Sequence, residues 1–266
     1  MTLRYDERLV SERLSVDIPD GSFTVIVGPN ACGKTTLLRS LARLLAPTDG
    51  DVLLDGQPLR SYRPKTAARE IGLLPQASIA PDGITVIDLV SRGRFPYQKL
   101  VRQWTEEDER AVWTAMEATD VAELARRPVA ELSGGQRQRV WAAMAVAQTT
   151  PILLLDEPTT FLDVSHQIEL LDVFARLNRP APDGEGVTVA AVLHDLNQAA
   201  RYATNLIVMK EGRVVATGDP NDVLTADLVE DVYGLTCLVI EDPVSGTPLV
   251  VPTAGAWPRR GASGRG

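Results

Sequence analysis

The chain has 266 residues, 44% of them hydrophobic, and a formal net charge of −8, enough apolar content for one large α/β domain or two small ones and no basic footprint for a nucleic-acid backbone. Its two cysteines, Cys32 and Cys237, are too few for a disulfide framework or a metal cluster, and free thiols in a reducing compartment are expected. No stretch reaches the roughly 18 uninterrupted apolar residues of a membrane span, and the N-terminus lacks the basic-then-apolar shape of a secretory signal, so the chain is expected to stay in the cytosol.

The apolar, β-rich run Phe23 to Val27 predicts a strand that ends at GPNACGKTT. The following KTTLLRSLARLLAP sets Leu37, Leu38, Leu41, Leu44 and Leu45 on one helical face before Pro47 stops it. In DVLLDGQPL, Asp55-Gly56 between apolar flanks predicts a tight hairpin, and REIGLLPQ predicts a short strand ending at Gln76. From Thr85 to about Gln148 the period is helical and no strand is evident. There Thr105 with Asp108 and Ser133 with Gln136 fit capping boxes that open two helices, the second burying Val140, Met144 and Ala147. Two unbroken apolar runs follow, Ile152 to Leu155 ending in Asp156-Glu157, and Val187 to Leu193 ending in His194-Asp195. Runs of that kind are strands covered on both faces, hence a parallel sheet between helices. NRPAPDGEG reads as a surface loop between them, CLVIEDPVSGTPLVV as two short strands around a turn, and GAWPRRGASGRG as a loose tail.

GPNACGKT, Gly28 to Thr35, has the spacing G-x-x-x-x-G-K-[ST] and sits where that motif belongs, after a strand and at the opening of a helix. Across Gly28, Pro29, Asn30, Ala31, Cys32, Gly33, Lys34, Thr35 and Thr36, the backbone N–H groups of all but Pro29 and the helix dipole suit a β-phosphate. Lys34 then reaches the β/γ oxygens and the Thr35 hydroxyl joins Mg²⁺. Asp156 and Glu157 end a buried strand as adjacent anions, which is expensive unless something cationic compensates. Magnesium would do so, with Asp156 ordering the metal and Glu157 polarising an attacking water as general base; a solvated helix-capping pair is the plain alternative. His194, also at a strand end, is read as a γ-phosphate contact because an open parallel sheet builds its ligand crevice at that edge. Gln76 completes the set as a neutral group for the Mg²⁺ and water shell, or is simply a surface glutamine.

LSGGQRQR, Leu132 to Arg139, poses a different problem. The capping box explains Ser133 and Gln136 but not Gly134 and Gly135, each of which costs about 1 kcal/mol against alanine in a first turn. A ligand that approaches too closely for a Cβ would explain them. This helix start has no lysine and no preceding strand, so it reads as half of a phosphate site.

In order along the chain, GPNACGKTT, LLPQ, LSGGQRQR, ILLLDEP, FLD and LHD together resemble the ATP-binding-cassette (ABC) ATPases over nearly the whole length. The resemblance implies an α/β P-loop fold with a RecA-like parallel-sheet core, an antiparallel β subdomain, and a helical subdomain at about 79–149 inserted in an ATPase domain spanning 1–235. A C-terminal strand pair and tail would follow at 236–266. It also implies MgATP hydrolysis by head-to-tail dimers, in which Ser133 and Gly135, with Gly134 and Gln136 beside them, face the partner's γ-phosphate. Asp163 would lie at the dimer seam, and Tyr5 would stack on adenine. HDLNQAARYA, RFPY and YGLTCLVIEDPVSGTPLVV are similar to the ATPases of bacterial iron-siderophore importers of the ferric enterobactin type. Such subunits imply a membrane permease, with Phe95 and Tyr97 near its coupling helices, an extracytoplasmic substrate-binding protein, and a place on the cytoplasmic face of the membrane. An exporter ATPase is the nearer alternative, and a soluble cassette acting on nucleic acid or ribosomes the more distant one. Three positions depart from the family pattern. Only four residues precede Tyr5, Phe161 stands where a small residue is common, and Ala31 replaces a common glycine, harmlessly if the backbone there suits an L-residue.

Overall fold

An apolar run without polar alternation makes a stable strand only where both of its faces are covered, and here such runs form the centre of one sheet. The computed structural model describes residues 1–5, 8–76, 79–98, 104–180 and 186–253. Its strands in chain order are β1 (Leu3–Tyr5), β2 (Arg8–Ser11), β3 (Phe23–Val27), β4 (Leu53–Leu54), β5 (Gln57–Pro58), β6 (Ile71–Leu74), β7 (Ile152–Asp156), β8 (Thr188–Val192), β9 (Asn205–Lys210), β10 (Arg213–Gly218), β11 (Cys237–Glu241) and β12 (Pro248–Pro252). The helices used below are α1 (Lys34–Leu41), α2 (Pro64–Glu70), α3 (Val86–Ser91), α4 (Glu106–Ala118), α5 (Gly134–Ala147), α6 (Val164–Asn178) and α7 (Leu196–Tyr202).

The main sheet has six strands in the order β10-β9-β3-β8-β7-β6, parallel throughout except for the edge β10. Every residue of β3 and β8 is buried. Alternation then divides them between two layers: Val25, Leu155 and Ala191 pack with Phe174 of α6, while Ile26, Leu154 and Val192 pack with Leu37 and Leu38 of α1. The predicted hairpin forms between β4 and β5, with Asp55 and Gly56 both at positive φ as its tight turn requires. The predicted C-terminal strand pair forms as β11 and β12. The proposed tail and residues 181–185 of the Pro/Gly-rich loop lie outside the described residues.

Several expectations need correction. The helix after the Gly-rich loop stops at Leu41 instead of running towards Pro47, and Leu44 is 65% exposed. Arg43 takes a left-handed φ of 61°, its N–H donates to the Ser40 carbonyl at 3.0 Å, and the Leu44 N–H donates to the Arg39 carbonyl at 2.8 Å. That is a Schellman stop made without glycine, which is why composition did not announce it. Strand β6 ends at Leu74, leaving Gln76 beyond it. On α5, Val140 and Ala147 are buried but Met144 only partly so. Strands β1, β2, β9 and β10 were not anticipated, although Leu206 to Met209 is as apolar as the runs that were.

Between β6 and β7 the described chain is helical, and α3, α4 and α5 bury their own cluster around Leu89, Met116 and Val140. Both predicted capping boxes are present, Thr105 with Asp108 and Ser133 with Gln136. The cluster is keyed by Arg94, only 1% exposed, whose Nε donates to Asp108 Oδ1 at 2.9 Å and whose Nη1 donates to the Ala147 carbonyl at 3.0 Å. Its guanidinium also stacks on Tyr97, 3.9 Å from the ring centre. Burial alone would push the Asp108 carboxyl up, but hydrogen bonds from Arg94 and Thr105 outweigh it and hold the group below the ordinary aspartate value. Replacing Arg94 with Met should therefore lower the unfolding free energy by about 3–5 kcal/mol, since an unpaired buried carboxylate is left behind, and Arg94→Met with Asp108→Leu should recover much of that in urea titrations. Because the folded pKa lies below the unfolded value of about 3.9, the stability Asp108 adds is complete above that pH and lost as pH falls through the folded value. Acid unfolding followed by circular dichroism should accordingly be shallower in the doubly substituted chain.

Candidate nucleotide site

Strand β3 delivers the chain into the Gly28–Thr36 loop, and the backbone there leaves little choice of residue. Gly28 has φ 151° and a Cβ would run into the Met209 carbonyl of β9. Gly33 has φ 107°, and a Cβ would stand 3.0 Å from Val10 Cγ1. Ala31 has φ 60°, so the condition for a harmless alanine is not met and the residue carries about 1 kcal/mol of backbone strain. Helix α1 begins with no side-chain cap, which leaves its first N–H groups for an anion. Lys34 is 5% exposed, and its Nζ donates to the carbonyls of Gly28 at 2.8 Å and Pro29 at 2.9 Å. Burial pushes the Cys32 thiol up, so it sits within the loop as a neutral, free thiol.

Strand β7 is two places from β3 in the sheet, and its end meets this loop from the side. The Thr35 hydroxyl donates to Asp156 Oδ1 at 3.1 Å. Burial raises the Asp156 carboxyl, the Thr35 hydrogen bond opposes that, and the neighbouring Glu157 charge adds to it. Glu157 has a left-handed φ of 53°, which turns its side chain out of the strand direction, and its Oε1 lies 2.7 Å from His194 Nε2. His194 comes from the loop after β8, the strand between β3 and β7. A cavity of about 510 Å³ opens here, lined by Asn30, Ala31, Gly33, Lys34, Thr35, Thr36, Glu157 and His194 on one side and by Tyr5, Arg8, Leu9, Val10, Glu211 and Gly212 on the other. Tyr5 is half-exposed at the end of β1.

The site fits a magnesium nucleotide. Among the described residues no group of three or more His, Cys, Asp or Glu could hold a metal by itself. Thr35 and the buried Asp156 offer the hydroxyl and single carboxylate that Mg²⁺ takes when phosphates and water supply its remaining ligands.

The remaining candidates lie elsewhere. Gln76 is exposed beyond β6 and does not line the cavity. Ser133 Oγ accepts from the Gln136 N–H at 3.2 Å, and Gln136 Oε1 accepts from the Ser133 N–H at 3.1 Å, so both are engaged in capping α5. A Cβ at Gly135 would stand 3.3 Å from Leu162 Cδ2, whereas one at Gly134 would meet only Phe161 Cβ, at an ordinary 3.6 Å. The chain's own Leu162 thus explains part of the Gly135 requirement that was assigned to a ligand. Asp163 caps α6, accepting from the His166 N–H at 3.1 Å. Phe161, between them, is 77% exposed with φ 68°. Of the two aromatics assigned to a permease contact, Phe95 is exposed, while Tyr97 is held between Arg94 and Arg69.

Arg8, Leu9, Val10, Glu211 and Gly212 line the cavity without having been anticipated. Glu211-Gly212 was a legible turn signal after an apolar run. What placed it here is the Gly212 N–H donating to the Cys32 carbonyl at 3.0 Å, a contact across the fold.

An ABC transporter family model matches residues 11–160. The ferric enterobactin transport ATP-binding protein FepC of Escherichia coli (strain K12) is 56% identical over 252 residues, 95% of this chain and 92% of that protein. The petrobactin import ATP-binding protein FpuD of Bacillus anthracis is 50% identical over 252 residues, 95% of this chain and 91% of its own. Among solved structures, a metal-chelate type ABC transporter in an inward-facing conformation matches with a TM-score of 0.77 and 25% identity over 94% of this chain and 93% of that one. The dimeric structure of MJ0796, a bacterial ABC transporter cassette, matches with a TM-score of 0.72 and 28% identity over 82% and 94%. Since the order of motifs, the sheet that gathers their loops and relatives at about half identity over nearly the whole length agree, this chain belongs to the ABC transporter family, among its ATP-hydrolysing cassettes.

Proposed function

We propose that the chain is the energising subunit of a bacterial importer of iron-siderophore or a related metal chelate, working as a head-to-tail homodimer beneath a separate permease. The observation that carries the catalytic part is the convergence of Lys34, Thr35, Asp156, Glu157 and His194 at one mouth of a nucleotide-sized cavity. Import rather than export is favoured by the relatives named for petrobactin import and iron(3+)-hydroxamate import, and a siderophore cargo also by the one named for ferric enterobactin transport. No helix among the described residues is long and apolar enough to cross a membrane, which suits a subunit placed at the cytoplasmic face through its partners. Phe95 is the exposed aromatic for the permease, and an extracytoplasmic binding protein would deliver the cargo.

In this reading Lys34 leaves the Gly28 and Pro29 carbonyls for the β/γ oxygens of ATP, a step from neutral acceptors to anionic ones. Thr35 and Asp156 would hold Mg²⁺, with Gln76 as a further polar group for that site. Mg²⁺, when bound, neutralises charge on the phosphate oxygens. Glu157 orients and deprotonates the attacking water, while His194, already against Glu157, contacts the γ-phosphate. Tyr5 stacks on the base. Ser133, Gly134, Gly135 and Gln136 begin α5 outside the cavity, so they serve the nucleotide of the second copy, with Asp163 at the seam. The ATPase domain spans 1–235 with the helical subdomain at about 79–149, and the remaining unit, 236–266, carries the strand pair β11–β12.

Glu157→Gln should retain ATP binding and lose roughly 10²–10⁴-fold in hydrolysis, and near-normal turnover would remove Glu157 as the base. Lys34→Ala should lose affinity for a fluorescent ATP analogue, and equal affinity would count against the phosphate-loop assignment. Bulky residues at Ser133 and Gly135 should leave nucleotide binding to the isolated chain intact while abolishing ATP-dependent dimerisation and turnover. A monomer, by light scattering, that hydrolyses at full rate with those changes would sink the shared-site reading.

A further inference from the structure

The two segments that leave the sheet beside the cavity, one running from Glu157 to Asp163 and the other from His194 to Gln198, are pinned together at both ends. Near the sheet, Glu157 Oε1 and His194 Nε2 are 2.7 Å apart. Farther out, the Gln198 amide donates to Gln167 Oε1 at 2.8 Å, and the Gln167 amide donates to the Leu162 carbonyl at 3.0 Å. These contacts and the chain between them close a ring. Its polarity is fixed, because the Leu162 carbonyl can only accept, so Gln167 must turn its NH₂ to it and its oxygen to Gln198. Both glutamines are half-buried.

The ring is braced on both sides by further hydrogen bonds. Asp195 Oδ1 accepts from the N–H groups of Asn197 at 2.8 Å and Gln198 at 2.9 Å. The Asn197 side chain accepts from the Val250 N–H of β12 at 2.7 Å and donates to the Val250 carbonyl at 3.4 Å, anchoring α7 to the C-terminal hairpin. On the other segment, the Gln138 amide donates to the Pro158 carbonyl at 2.8 Å, and Leu162 packs against Gly135. Neither Gln167 nor Gln198 lines the nucleotide cavity.

We propose that Gln167 and Gln198 are positioning residues for ATP hydrolysis, a donor-to-acceptor chain that sets the spacing between the loop carrying Glu157 and Asp163 and the loop carrying His194. The proposal rests on the ATPase reading above. Its chemical logic is that an error of about 1 Å between a base and its partner is enough to slow a reaction substantially, whereas two neutral hydrogen bonds near the surface contribute little to folding.

Near-isosteric substitutions replace the donor with an acceptor without removing volume. Gln167→Glu sets a carboxylate against the Leu162 carbonyl, and Gln198→Glu sets acceptor against acceptor, whereas Gln198→Lys keeps a donor. On the full-length chain, ATP turnover, the equilibrium dissociation constant for ATP and the melting temperature should be measured together. Both Glu variants should lose about 2- to 30-fold in kcat with ATP affinity and melting temperature unchanged. The combined variant should be no slower than the worse single one, and Gln198→Lys should retain most of the rate. Unchanged kcat in both Glu variants overturns the proposal. So does a loss that tracks a fall in melting temperature and affinity, or a Gln198→Lys enzyme as slow as Gln198→Glu. A wild-type chain without ATP turnover would overturn the ATPase reading and this proposal with it, whereas an active wild type with unaffected variants overturns the glutamine pair alone.

Discussion

Two carboxylates stand side by side at the end of one buried strand, and a fold tolerates that only where donors and cations gather around them. Asp156 is 2% exposed and Glu157 follows it directly. The Thr35 hydroxyl answers the first and His194 the second, and the ammonium of Lys34 waits nearby on loop carbonyls. Lys34 and Thr35 follow β3, the two acids end β7, and His194 follows β8. The arrangement is possible because β8 lies between β3 and β7, so three loops that are far apart in sequence leave the same edge as neighbours.

Some of the chain's backbone strain lies at that edge. Ala31, Glu157 and Phe161 all hold left-handed backbones, and all three belong to loops that present chemistry or, in the proposed dimer, a partner contact. The restoring forces come from the two layers against the sheet and from the helical region, where the buried Arg94–Asp108 pair locks three segments. Trp141 and Val146 of α5 pack against both the main core and the helical cluster. The helix that starts at Ser133 is thereby mechanically continuous with the sheet that carries the acidic pair.

Legibility in the sequence followed the range of the interactions. Capping boxes are closed within four residues, and both were readable. The Asp55-Gly56 turn was readable for the same reason, and the buried strands β3, β7 and β8 because burial on both faces leaves a continuous apolar run, although the equally apolar β9 was missed. The end of α1 was not, because Arg43 adopts a conformation that glycine usually announces. Glycines at 134 and 135 showed that something comes close, but only the packing of Leu162 shows that part of it is the chain itself.

What the sequence determined by itself was the chemistry available: a lysine and a threonine at a phosphate-cradling turn, two acids and a histidine at strand ends, and a second helix start without a lysine. Those follow from residue type and short spacing, which are local properties. The tertiary structure decided which of them meet. It placed Thr35 on Asp156 and His194 on Glu157, and it left Gln76 and the Ser133 helix outside the cavity. It brought in Arg8 and Glu211, which no motif marked, and joined Gln198 to Leu162 through Gln167. The reason is strand order: which loops become neighbours depends on how whole layers of apolar side chains pack, and no short window of residues records that.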